Sequence, residues 1–175
     1  MEPTISRKDF YQGAMYNGTL LGALWSVMYL LLFAGVGSTI SMFLCLVLFF
    51  LSPFMAVRLA VSFRRRECDD TMSYLQAWLF TFYMYICATL LSALVSFIYF
   101  RFIDGGTFLM SLQNMIEEAM KLAGTNELPV QQYEQTMTLI AQITERDIVW
   151  QLMNNNLLNA TFLSLVLALF IKKTK

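Results

Sequence analysis

Histidine is absent from the 175-residue chain. With it go the usual general base, the commonest metal ligand and the side chain that titrates nearest neutrality. Cysteine is scarce: Cys45 and Cys87 fall inside apolar runs, Cys68 lies in a charged loop, and no C-x-x-C spacing occurs. That pattern argues against a disulfide framework or a quinone-linked thiol oxidase. Net charge is also missing, 12 basic residues cancelling 12 acidic ones, so no global field draws nucleic acid to the chain. Nor does any Asp, Glu, Lys or Arg stand in the middle of a long apolar run, where proton-coupled carriers and intramembrane enzymes need one. No catalytic residue, cofactor site or metal site is expected.

What the chain does have is apolar length. Hydrophobic residues make up 58% of it and mean hydropathy is +0.57, beyond the about 45–50% of soluble domains. Four runs, about 17–35, 39–57, 73–103 and 148–171, each approach or exceed the ~20 residues that carry a helix across ~30 Å of hydrocarbon. The expected fold is therefore all-α: a single membrane domain, 1–175, built as a four-helix bundle. Only Val36 to Ser38 separates the first two runs, a tight turn between antiparallel helices. A cleaved leader is the competing reading of the first run, since Arg7 and Lys8 precede it and small residues end it. Its length exceeds the about 7–15 residues of a leader's apolar core, which favours a retained span.

Local signals mark the ends. Ser73 followed by Gln76 spells a capping box for the third helix, and Asp69 and Asp70 just upstream suit the positive end of its dipole. Pro53 predicts a kink in the second helix, with a gating hinge as the functional alternative. Arg101 and Asp104, three residues apart, are placed to pair with each other. Between the third and fourth runs, Leu112, Met115, Ile116, Ala119, Met120 and Ala123 recur at helical spacing. A second stripe follows Pro129, through Val130, Tyr133, Met137, Ile140 and Thr144. Residues 104–147 are thus expected to form an extracytoplasmic helical hairpin.

Positive residues collect on the cytoplasmic face. Four spans place Arg7, Lys8, Arg58, Arg64, Arg65, Arg66, Lys172, Lys173 and Lys175 on one side and Arg101, Lys121 and Arg146 on the other. Nine against three puts both termini in the cytoplasm. It also disfavours dual-topology exporters, whose charge bias is weak.

Three constellations invite a function. Ala14, Gly18, Gly22 and Ser26 repeat every four residues, as do Asn156, Ala160, Ser164 and Ala168. Both are seams that let backbones approach in lipid, either within the chain or in a homodimer through Gly18 and Gly22. Asn154, Asn155, Asn156 and Asn159 form a polar cluster that needs interhelical hydrogen bonds or a binding cavity. Interhelical bonding predicts that replacing Asn155 and Asn159 by leucine lowers thermostability. Arg64, Arg65 and Arg66 signal topology, with contact to anionic lipid headgroups as the alternative.

The stretch from Arg64-Arg65-Arg66 through Met72-Ser73-Tyr74 to Ala77, with the exit Phe102-Ile103-Asp104, resembles family 4199 of the bacterial domains of unknown function. The resemblance implies four spans with a basic inner loop, and because the family has no established activity it carries over no catalytic residue. Asp69 and Asp70 stand where that family usually has a glycine pair. Its members look like neighbours of membrane glycosyltransferases, which hints at an accessory role. Taken together, the sequence leads to a non-enzymatic accessory or scaffold subunit in the lipid bilayer, meeting a protein or lipid partner through its outer lobe. An oligomeric transporter of small solutes or lipids comes second. An enzyme acting on membrane lipids comes last, because carboxylates gather only in the lobe, without histidine or a metal-ligand pattern.

Overall fold

The computed structural model describes residues 6–122, 138 and 142–173. Among them the chain is helical throughout: α1 Arg7–Ala34, α2 Thr39–Glu67, α3 Tyr74–Tyr99, α4 Thr107–Leu122 and α5 Glu145–Ile171. All but α4 are long and apolar enough to cross a membrane. The chain runs α1–α2–α3 in alternating directions and returns through α5. α3 is the central helix, packed on α1 along one side and α5 along the other, with α2 laid against α1.

Small residues explain why α3 sits so close. A methyl group at Gly18 would stand 2.6 Å from the Met84 carbonyl oxygen and 2.7 Å from the Cys87 Cβ; one at Gly22 would meet the Ala88 Cα at 3.0 Å. Ala14 and Ser26 are buried in the same stripe, Ala160, Ser164 and Ala168 are buried on α5, and Ala88, Ser92 and Ser96 are buried on α3. The serines of these stripes tolerate this burial because they bond back to their own helices. The Ser26 hydroxyl donates to the Gly22 carbonyl at 2.7 Å and that of Ser96 to Ser92 at 2.8 Å. The groove at Gly18 and Gly22 is filled by α3 of the same chain.

Aromatic layers close the bundle at both ends of this narrow waist. At the basic end Phe63 stacks on Phe80 with ring centroids 4.4 Å apart, and Phe10 meets Phe80 at 5.5 Å. At the opposite end Phe33 lies 4.6 Å from Phe100 and 5.4 Å from Phe108. Phe10 accounts for the early start of α1 at Arg7, well before residue 17: hydropathy marks hydrocarbon, but the helix continues for as long as it has something to pack on.

The helix ends reward close reading. The α1–α2 turn is as short as the sequence implies and uses Gly37 at φ 84°, a left-handed value glycine takes freely. Ser73 and Gln76 form the capping box of α3, the Gln76 amide donating to Ser73 Oγ at 3.3 Å and the Ser73 amide to Gln76 Oε1 at 3.0 Å. α3 then widens into a π turn, Phe100–Asp104, and stops at Gly105 and Gly106, both at positive φ. Asp104 does not pair with Arg101. It is 4% exposed and accepts from the backbone amides of Gly106 and Phe108, each at 3.1 Å, so its carboxylate serves the start of α4 while Arg101 faces outward. Thr144, expected in an apolar stripe, instead caps α5, accepting from the Asp147 amide at 3.4 Å while Asp147 accepts from its own at 2.9 Å. The first half of the expected outer hairpin is α4. Its break at Gly124 and its second helix after Pro129 lie outside the described residues.

Candidate functional site

A cleft in the middle of the bundle is lined by Ser52, Asn155, Asn156 and Asn159 together with Trp25, Tyr29 and Tyr85. It arises from the way α2 departs from its neighbours. The buried residues of α2 are Ser52, Ala56, Ala60, Phe63 and Arg64, all in the half nearer the basic end. From Ile40 to Leu51 the helix exposes Phe43, Phe49 and Phe50 among others. The change falls at Pro53, which stays within one continuous helix but has no N–H to bond the Phe49 carbonyl. α2 meets α5 at the basic end, and the two helices enclose a cleft on the other side of the proline.

The cleft has a wide part of about 630 Å³, opening laterally between α2 and α5, and a narrow part of about 310 Å³ against α3. Met28, Tyr29, Phe49, Asn156 and Asn159 line both. Asn155 lines only the wide part, and Trp25, Ser52, Pro53 and Tyr85 only the narrow one. At ~1.5 Å rise per residue, Ser52 and Asn159 each stand about 20 Å from either end of their helices. The polar groups therefore sit near the middle of these two helices.

Two strong interhelical hydrogen bonds frame the site, with a weaker one from the Cys45 thiol to the Met28 carbonyl at 3.4 Å. The Trp25 indole N–H donates to Ser52 Oγ at 2.6 Å, tying α1 to α2, and the Tyr29 hydroxyl donates to Asn156 Oδ1 at 2.8 Å, tying α1 to α5. Within the narrow part the Trp25 and Tyr85 rings lie 5.6 Å apart. The Tyr85 hydroxyl is buried and has no hydrogen-bond partner among the described residues. Asn155 and Asn159 are exposed at the cleft, and neither carboxamide bonds another described residue. Hydrocarbon offers such groups nothing, at a cost of several kcal/mol for a fully orphaned polar group. The arrangement supplies hydrogen bonds and aromatic faces without a charge: chemistry for holding a molecule, with no carboxylate or amine to move a proton.

The asparagine cluster thus divides. Asn156 is an interhelical tie, Asn155 and Asn159 belong to the cleft, and Asn154 lines neither part. The expected loss of stability moves accordingly. Asn156→Leu orphans the Tyr29 hydroxyl and is expected to destabilise the protein by about 0.6 kcal/mol and at most about 1.7 kcal/mol, the average and the maximum for hydrogen bonds between membrane helices. Asn155→Leu and Asn159→Leu break nothing in the chain and should leave the detergent melting temperature unchanged or higher. The reverse order in a thermal melt would refute the division. Sequence reasoning passed over Trp25, Tyr29, Ser52 and Tyr85. The available signal was their position, since tryptophan and tyrosine favour the membrane interfaces and these stand far inside.

Arg64 leaves the basic run altogether. It is 7% exposed, with its guanidinium bonded to the Asp70 carboxylate at 3.0 and 3.1 Å and to the Ile171 carbonyl. Asp70 also pairs with Lys173. Backbone bonds between Met72 and Lys173, at 2.9 and 3.0 Å, complete a clasp that holds the end of α5 to the α2–α3 loop. Only Arg65 and Arg66 remain exposed to meet headgroups. The loop turns back because Asp69 and Asp70 adopt φ of 48° and 57°, which aspartate tolerates better than most residues.

Four apolar helices of membrane-spanning length around a cleft define a polytopic membrane protein. Residues 16–173 match the model of the family described as Protein of unknown function (DUF4199), and the chain belongs to that family. No curated protein and no solved structure matches it.

Proposed function

We propose that the chain is a non-enzymatic accessory protein of a bacterial inner membrane, with its basic end in the cytoplasm, and that it works by receiving a membrane-lodged partner in the cleft between α1, α2 and α5. The observation that supports this reading is the pair of carboxamides, Asn155 and Asn159, at a lateral opening in the apolar zone with no bond to any other described residue. A partner entering from the bilayer supplies what the chain does not. The sequence favoured the outer lobe as the recognition surface; the polar groups without partners favour the cleft.

A photoreactive benzoylphenylalanine at Phe43, on the wall of the wide part, tests the proposal in native membranes. A discrete adduct should form there well above the background from the same residue at Leu94, which is exposed on α3 away from the cleft. Equal labelling at the two positions would refute the reading. A crosslink to a second copy would replace it with an oligomer built across the cleft, the arrangement a transporter requires.

A further inference from the structure

We propose that the narrow part of the cleft binds an uncharged lipid by a carbonyl oxygen, with the lipid's apolar body running out along the wide part. The inference rests on the cleft being the functional site and adds the class of its occupant. Three hydrogen-bond donors meet there. Tyr85 is 1% exposed, and its hydroxyl has no partner among the described residues. Asn159 bonds nothing else in the described chain. Asn156 has given its oxygen to Tyr29, which leaves its amide N–H groups to donate. Asn159 and Tyr85 each also carry an oxygen that can accept, but these N–H and O–H groups can share a single ligand atom only if that atom accepts.

The acceptor must be neutral. No Lys, Arg, Asp or Glu lines either part of the cleft, so a phosphate or an ammonium would lose its hydration with nothing to offset the loss. The rest of the wall is aliphatic or aromatic, and about 310 Å³ falls at the lower end of the range of small-molecule sites. Trp25 and Tyr85 offer ring faces beside the donors, and the lateral opening admits a molecule already dissolved in hydrocarbon. A carbonyl on an apolar body at mid-depth has two common sources, an isoprenoid quinone and a diacylglycerol.

Trp25 is its own reporter. In the full-length double variant Trp78→Phe, Trp150→Phe, reconstituted in phosphatidylcholine nanodiscs, its fluorescence is titrated with a short-tailed benzoquinone, with diacylglycerol brominated on its chains, and with equally brominated phosphatidylcholine. Saturable quenching by the quinone or the diacylglycerol, above that by the phosphatidylcholine, is the expected result, and the active arm names the source. Tyr85→Phe and Asn159→Leu should each weaken it about three- to tenfold, the effect of losing one hydrogen bond. Tyr85→Phe should also melt no lower than the parent, because it removes a buried hydroxyl that has no partner in the free protein. Quenching by all three lipids alike, or saturable quenching that neither substitution weakens, would overturn the proposal. A purely proteinaceous adduct at Phe43 would overturn this inference and leave the accessory reading standing; no adduct at all would remove both.

Discussion

Gly18→Leu should prevent the bundle from closing, with a loss of stability of about 3 kcal/mol or more, at or beyond the upper end for overpacking a core. The size follows from what the new side chain would meet. Its first carbon already falls 2.6 Å from a backbone carbonyl oxygen of α3 and 2.7 Å from Cys87 Cβ, and a helix backbone cannot retreat as a flexible side chain can. α1 and α3 would have to separate along their length, loosening the aromatic layers at both ends. The variant should aggregate on detergent extraction or melt far below the parent. Gly37→Ala is the useful comparison. It meets no neighbour and suffers only from a left-handed φ of 84°, which costs roughly 1–2 kcal/mol. A Gly18→Leu protein that melts like Gly37→Ala would mean that the close α1–α3 approach does not hold the fold together.

Arg64→Met should open the clasp at the basic end. The guanidinium is the one group that touches both Asp70 and the Ile171 carbonyl, and a methionine fills similar volume without any donor. Two readouts follow. The backbone amides of Met72 and Lys173, which bond each other's carbonyls, should exchange with deuterium at least about tenfold faster, since local opening governs exchange. Cys68, 1% exposed, should react with maleimide. In the parent its thiol is pushed up to about 11, first by burial and then by the Glu67 charge, against a smaller lowering by Arg64; opening the clasp relieves the burial, the largest of these effects, and only the thiolate attacks. Arg65→Met and Arg66→Met should change neither. If Arg64→Met protects both amides as well as the parent does, the clasp is decoration.

The same contact fixes a pH dependence. Asp70 is held below its ordinary 3.8, chiefly by the hydrogen bond from Lys173 and then by the charges of Lys173 and Arg64. A carboxyl depressed in the folded state contributes its stabilisation in full above the unfolded value and loses it as pH falls through the folded one. The clasp should therefore be insensitive to pH near neutrality. Exchange at Met72 and Lys173, corrected for intrinsic rate, should accelerate only once the medium is more acidic than pH 3.8.

How much of this was legible beforehand differs by length scale. The four spans could be read because each is a long run of one character, and the α1–α2 turn because so few residues separate two such runs. The seam at Gly18 and Gly22 and the Ser73 cap could be read because their signals recur within a turn or two. The cleft could not. Tyr29 and Asn156 lie 127 positions apart and Trp25 and Ser52 27 apart, and no local rule pairs one polar residue in an apolar run with another. The same limit hid the role of Arg64, which looks like its two neighbours until Asp70 folds back on it. Asp104 misled for the opposite reason. A helical offset of three predicted its pairing with Arg101, but the π turn and two glycines gave its carboxylate nearer amides to serve.

The loop that reverses at Asp69 and Asp70 sets two demands on a single residue. Glycine at both positions would make the bend without steric penalty, yet Arg64 would then be stranded in an apolar setting with no counter-ion, and the tail after Ile171 would lose its anchor. Aspartate at position 70 accepts an awkward backbone and in return supplies the anion. Any chain of this architecture with a glycine pair at the bend must therefore either lack a buried arginine at the corresponding place in α2 or neutralise it from another direction.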